Sequence, residues 1–204
     1  MNKIITISRE FGSGGREIGK RVADELGFSY YDAEIITSIA KETGMSEEYI
    51  KNISEKGMYP YAFHFAKSFA TYPVYQSNQT EVLVAEAKVL KQIAEKGDCI
   101  IVGRGADITL KEYGSMNLFV YANMQSKMER CRQKRQDEKD MTDKELQNKI
   151  KQIDKNRRNY HRIISNLEWG DKENYHLCIN TSGVEIKEMI SPLADYIKEW
   201  FRRK

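Results

Sequence analysis

An α/β fold built on a mainly parallel central sheet is what the sequence predicts, from three observations. Short apolar runs alternate with amphipathic stretches of helical period along most of the chain. The first run is β-branched and almost wholly apolar, as suits a strand covered on both faces. A glycine cluster then joins that run directly to the first helical stretch.

Lys3-Ile-Ile-Thr-Ile7 is the first strand, and Gly12-Ser13-Gly14-Gly15 follows it. From Arg16 to Leu26, Ile18, Val22 and Leu26 fall on one helical stripe, and Gly27 supplies the stop. Phe28 to Tyr31 makes a second short strand that ends at Asp32. Three further runs read as strands: Cys99-Ile-Ile-Val102, Asn117-Leu-Phe-Val-Tyr121 and Tyr175-His-Leu-Cys-Ile-Asn180. Glu81 to Glu95 carries Val82, Ala85, Val89 and Ile93 at helical spacing. Glu185 to Phe201 does the same with Ile186, Ile190, Leu193, Ile197 and Trp200.

Two stretches stand outside the alternation. Residues from about Thr43 to Thr80 are crowded with aromatics, among them Tyr49, Tyr59, Phe63 and Phe69. From about Lys127 to Gly170 the chain is charged and helical in pattern. Both read as insertions over one edge of the sheet. No internal repeat and no Gly/Ser- or Pro-rich linker appears, so residues 1–204 read as one domain with two appendages.

Hydrophobic residues make up 40% and charged residues 31% of the 204, which excludes a disordered chain. No window reaches about 18 apolar residues, and the start lacks the basic-then-apolar pattern of a signal peptide. Cytoplasm is therefore the expected compartment, with no membrane partner. Cys99, Cys131 and Cys178 are odd in number and far apart, which fits neither a disulfide framework nor a zinc site. No protein metal site is expected.

The net charge of +3 conceals an asymmetry. Gln125 to Arg162 holds 13 Lys/Arg and 7 Asp/Glu, a local +6. Such an excess either attracts an anionic ligand or is a solvated helical face laced with i,i+4 pairs. The interleaved acids suit a nucleic-acid backbone poorly, so no nucleic-acid partner is expected.

In an open parallel sheet, ligands sit at the carboxyl ends of the strands. The first such end is Ser8-Arg-Glu-Phe-Gly-Ser-Gly-Gly-Arg-Glu-Ile18, running into a helix. Glycines there let backbone N–H groups curl round a phosphate, and the helix N-terminus adds partial positive charge. A plain strand-to-helix turn is the alternative. The run departs from Gly-x4-Gly-Lys-Ser/Thr: with Gly14 as the second glycine, Gly15 stands in the lysine's place and Arg9 in the first glycine's. The second strand end, Val102-Gly-Arg-Gly-Ala-Asp107, puts the Arg104 guanidinium at the sheet rim, where it can grip a phosphate bidentately. Asp32 either accepts from a sugar or base, or N-caps the next helix. In the basic stretch, Arg130, Arg132 and Arg135 crowd one helix, and Asp154 and Arg157 share a helix face. A mobile arm bearing arginines suits phosphoryl transfer, whose catalysis is mostly positioning and charge neutralisation.

Together these segments resemble the cytidylate kinase-like family of P-loop nucleoside monophosphate kinases. The resemblance runs almost end to end, through Tyr31-Asp32, Gly103-Arg104-Gly105, Phe119-Val-Tyr-Ala122, Arg130 to Arg135, Asp154-x-x-Arg157 and Cys178-Ile-Asn-Thr-Ser182. It implies a three-layer α/β/α P-loop NTPase-like fold, with residues 43–80 as an acceptor-nucleotide insertion and 127–170 as a helical lid. It implies ATP with Mg²⁺ as phosphoryl donor and a nucleoside monophosphate, CMP or dCMP favoured, as acceptor. Gly12, Ser13, Gly14, Gly15, Arg16 and Glu17 would surround the donor phosphates, and Asp32, Arg104, Asp154 and Arg157 would hold the acceptor. Arg16, Arg130, Arg132 and Arg135 would act on the transfer. The missing loop lysine leaves a second reading open, a nucleotide-binding or sensing protein without transfer. The aromatics of the first insertion read as a small core, as a base-stacking platform, or as the contact of a homodimer.

Overall fold

The computed structural model describes residues 2–56, 72–134 and 138–203. Five strands form one parallel sheet: β1 (Ile4–Arg9), β2 (Ser29–Tyr31), β3 (Cys99–Val102), β4 (Met116–Tyr121) and β5 (Leu177–Asn180), in the order β2-β3-β1-β4-β5. β1 lies centrally, with Ile5 opposite Ile100 of β3 and Met116 of β4. Thr6, in the middle of it, is buried and donates its hydroxyl to Asn117 Oδ1 at 2.8 Å.

The alternation of Cβ direction along β1 divides the core in two. Ile5 and Ile7 face α1 (Gly15–Leu26) and α8 (Ile186–Arg202), packing with Ile18, Val22, Ile190 and Ile197. Ile4 and Ile101 face the opposite layer, α2 (Glu34–Thr43), α3 (Glu47–Lys56) and α4 (Tyr72–Lys96), through Ile35, Ile39, Ile50, Val82 and Leu90. This is the expected three-layer arrangement. α4 begins well before Glu81, where the apolar stripe becomes legible.

The charged stretch resolves into α6 (Met124–Lys134) and α7 (Asp143–Ser165), which follow the short α5 (Ala106–Thr109) in the chain. α7 opens with a capping box: Thr142 Oγ1 accepts from Glu145 N, and Glu145 returns a bond to Thr142 N. A small cluster of Phe11, Met128, Cys131, Leu146 and Ile150 docks the arm on the first loop. Cys131 is thus a buried core residue. Among the aromatics of 43–80, Tyr49 packs on the α2–α4 core, while Tyr59, Phe63 and Phe69 lie outside the described residues.

Candidate functional site

β1 delivers the chain to the loop at residues 10–14, where one local and two tertiary bonds shape the turn. Glu10 N donates to Val120 O at 2.9 Å, Ser13 Oγ to Glu10 O at 2.8 Å, and Thr181 Oγ1 to Ser13 O at 2.7 Å. Gly14 caps α1 at φ 84°, a left-handed conformation that costs an L side chain about 1–2 kcal/mol. Ile18 N to Gly14 O closes the first helical turn, so the amides of Gly15, Arg16 and Glu17 have no intrahelical acceptor. Their partial charge faces a cavity of about 180 Å³ lined by Gly12, Gly14, Gly15, Arg16, Glu17 and Arg130, with Arg9, Lys134 and Arg157.

Two expected members stand apart from that lining. Ser13 is fully buried, its hydroxyl turned to the loop's own carbonyl. Arg132 pairs with Asp143 and is absent from the lining of this cavity, so it ties α6 to the start of α7. Arg135 lies outside the described residues. Arg130 remains at the cavity, held by Thr181 Oγ1 at 3.1 Å and by the carbonyls of Thr181 and Val184.

A second cavity, of about 550 Å³, opens on the other side of the loop. Among the described residues Arg9, Arg16, Arg104, Arg157, Lys51 and Lys149 bring six cations to its lining, against the single carboxylate of Asp32. Asp32 does not cap α2, whose N-cap is Ala33; it holds Arg16 Nε at 2.6 Å and lies 3.8 Å from Arg9. Arg104 sits at φ 60° between two left-handed glycines, a strained turn that points its guanidinium into the cavity rim. Arg157 donates to Arg9 O at 2.8 Å and lies over the Phe11 ring at 5.8 Å.

Asp154 has both oxygens engaged by protein. Oδ1 accepts from Phe11 N at 2.7 Å, and Oδ2 meets Lys127 Nζ at 2.9 Å. Lys127 bonds Glu10 at 3.0 Å as well, so one buried ammonium ties α6 to α7 and to the loop. Asp154 lines neither the loop cavity nor the larger one. Lys127 gives no sign of this in the sequence, where it is one basic residue among many.

Glu86 was legible in principle, because it stands on the apolar stripe of α4 four residues after Val82. It accepts from the Tyr160 hydroxyl, and burial drives its carboxyl from 4.5 up to about 7, against the pull of Arg104 and the Tyr160 bond. Next to Tyr160, His161 Nε2 meets Asp107 Oδ2 at 2.9 Å. Burial opposes the imidazolium, but the Asp107 hydrogen bond and charge, with the Leu167 carbonyl, outweigh it and raise the pKa. Neither group had a visible partner in the sequence.

Both shifts have the same consequence. The native chain holds more protons than the unfolded chain as Glu86 titrates between about 4.5 and 7, so stability falls with rising pH in that window. The His161 contribution is complete below 6.5 and is lost as pH rises through its raised folded value. Glu86→Gln is expected to raise Tm by about 6–12 °C at pH 8, from about 3 kcal/mol relieved, and by far less at pH 4.5. Melting curves at the two pH values check this; an equal gain at both would contradict it.

Among the described residues no carboxylate at the loop is left uncommitted for magnesium. Glu10 and Asp154 share Lys127, Asp32 holds Arg16, and Glu17 holds Lys134 and Arg21. Among the described residues no three His, Cys, Asp or Glu side chains gather as a metal site. The residues fit a polyphosphate and do not supply a carboxylate for its cation; magnesium commonly keeps water and binds through phosphates.

A parallel sheet whose first strand turns through a glycine loop into a helix, under a basic helical arm, defines the kinase type of P-loop α/β protein. Residues 4–183 match the model of the cytidylate kinase-like family, and the chain belongs to that family. Among solved structures it is similar to an uncharacterized protein from Eubacterium ventriosum ATCC 27560, at 25% identity and TM-score 0.70 over 98% of this chain and 99% of that one. The shikimate kinase of Bacteroides thetaiotaomicron shares the fold at 16% identity and TM-score 0.56, over 97% and 99% of the two chains. That of Acinetobacter baumannii, solved with shikimate, does so at 15% identity and TM-score 0.55, over 98% and 94%. No curated protein sequence matches the chain. No helix among the described residues is long and apolar enough to cross a membrane.

Proposed function

We propose that this chain is a nucleotide phosphotransferase that moves the γ-phosphoryl group of ATP to a pyrimidine nucleoside monophosphate, CMP or dCMP being favoured. The observation that carries this reading is a shared wall. Arg9, Phe11, Arg16 and Arg157 line both the loop cavity and the larger cationic cavity, so ligands in the two meet across these four residues. Family membership supports the same reading.

In this reading the donor phosphates lie against the amides of Gly12 to Glu17, flanked by Arg130 and Lys134. An adjoining cavity of about 370 Å³ between α6 and the start of α8 has room for part of the donor nucleoside. The acceptor phosphate meets Arg104 and Arg157, while Asp32 orients Arg16. The acceptor phosphate is already ionised near neutral pH, so no general base is needed. Holding the reactants in line, and surrounding them with guanidinium groups, does the chemistry.

Gly15 in the lysine's place favours one other reading, nucleotide binding without transfer. A coupled assay with ATP and CMP, dCMP, UMP or AMP separates the two. Turnover with CMP or dCMP, at roughly 1–100 s⁻¹ as is typical of kinases, is expected. Calorimetric binding of ATP with no turnover at millimolar acceptor would select the other reading.

A further inference from the structure

A phosphate loop without its lysine must still meet the charge that spreads over the transferring group. Building on the phosphotransferase reading, we propose that Arg9 is a catalytic residue, its guanidinium touching the transferring phosphoryl group from the first position of the loop.

Four observations converge on Arg9. It lines both cavities, so it stands where donor and acceptor meet. Its head crosses from the end of β1 to the turn after β3: a Cβ on Gly103 would fall 2.0 Å from Arg9 Nη1. Only glycine at 103 leaves that path open. The Arg9 side chain is largely buried, yet its Nε has no hydrogen-bond partner, and Asp32, at 3.8 Å, is already committed to Arg16. Arg157 spends Nη1 on the Arg9 carbonyl, which fixes the backbone from which this side chain projects.

The electrostatics point the same way. Burial first, then the neighbouring charges of Arg157, Arg16 and Arg104, pull the Arg9 pKa below its ordinary value, with Asp32 alone opposing. Three neighbouring guanidinium groups crowd Arg9, whose own nearby carboxylate, Asp32, is shared with Arg16, and an anion entering the cavity relieves that crowding. Arg16 is the weaker candidate for the lysine's work, being half exposed with its Nε held by Asp32.

The step itself is balanced without a proton. An acceptor phosphate oxygen bonds to the γ-phosphorus while the bond from that phosphorus to the β,γ-bridging oxygen breaks. The electron pair stays on the departing diphosphate. Arg9 donates to the equatorial oxygens that carry the spreading charge, where a planar fork makes two contacts to an ammonium's one.

The test compares wild type, Arg9→Met and Arg9→Lys in the coupled assay and in ligand-free melting curves. Arg9→Met is expected to lower kcat about 10²–10³-fold, with KM for ATP and for the acceptor changed less than about fivefold. Its Tm should equal or exceed that of wild type, because a crowded cation has been removed. Arg9→Lys keeps the charge and should recover part of the rate. A merely structural arginine would instead lower Tm in both variants and leave kcat per folded molecule unchanged, and either result overturns the proposal. A wild-type protein that turns over no acceptor would overturn the phosphotransferase reading and this role with it. An active wild type beside an equally active Arg9→Met overturns the role of Arg9 alone.

Discussion

Lys127→Met is expected to lower Tm by roughly 6–20 °C, the largest single effect on stability foreseen outside the sheet. Lys127 is 5% exposed and neutralises two carboxylates, Glu10 at 3.0 Å and Asp154 at 2.9 Å. Methionine keeps the length of the side chain, so the packing around it changes little. The charge balance changes completely. Both carboxylates lose the ammonium they share, while Arg157 Nη1 stays 3.8 Å from Asp154, and breaking a buried pair in this way costs about 3–5 kcal/mol. For a chain of this size each kcal/mol moves Tm by about 2–4 °C. Adding Glu10→Gln and Asp154→Asn to Lys127→Met leaves no stranded charge and should recover part of the loss. Thermal unfolding followed by circular dichroism checks both statements, and a shift below 2 °C for the single variant would contradict the account. Because Asp154 also holds Phe11 N at 2.7 Å, the same variant should weaken ATP binding by loosening the loop.

Gly14→Ala should weaken ATP binding more than tenfold. Two independent penalties meet at this residue. Its φ of 84° costs an L residue about 1–2 kcal/mol. The added methyl would lie 2.1 Å from Ile186 Cδ1, an overlap whose relief costs about 1–3 kcal/mol. The first turn of α1 relaxes by moving away from α8, and its amides then lose their aim at the cavity. Gly27→Ala is the matched control. It caps the other end of α1 at φ 69° with nothing within 4 Å of the added methyl, so it carries the conformational penalty alone. Calorimetric titration with ATP should find Gly27→Ala near wild type and Gly14→Ala impaired; equal affinities would contradict the placement of the donor phosphates.

The sheet was readable because β1, β3 and β4 are buried on both faces, and such strands announce themselves as near-continuous apolar runs. α1 and α8 were readable from their stripes. α4 was readable only in its second half, since the residues before Glu81 carry aromatics and polar groups without a period. Of the site, the glycine loop, Arg104, Arg157 and Arg130 are legible from residue type at a strand end or on the basic arm. The partnerships are not. Nothing local tells that Asp154 would bond an amide 143 positions earlier, or that Asp32 would hold Arg16 instead of capping α2. Lys127, His161 and Glu86 take their character from neighbours that only the fold supplies. Arg9 was visible as a departure from the glycine pattern, but its reach to Gly103 required the β1–β3 pairing.

The most direct measurement is a crystal structure with a non-hydrolysable ATP analogue and CMP bound together. The β- and γ-phosphates are expected within hydrogen-bond distance of the amides of Gly14 to Glu17, with the CMP phosphate on Arg104 and Arg157 and the Arg9 guanidinium between the two ligands. Phosphate density elsewhere, with the loop of residues 10–14 unchanged and empty, would contradict this placement.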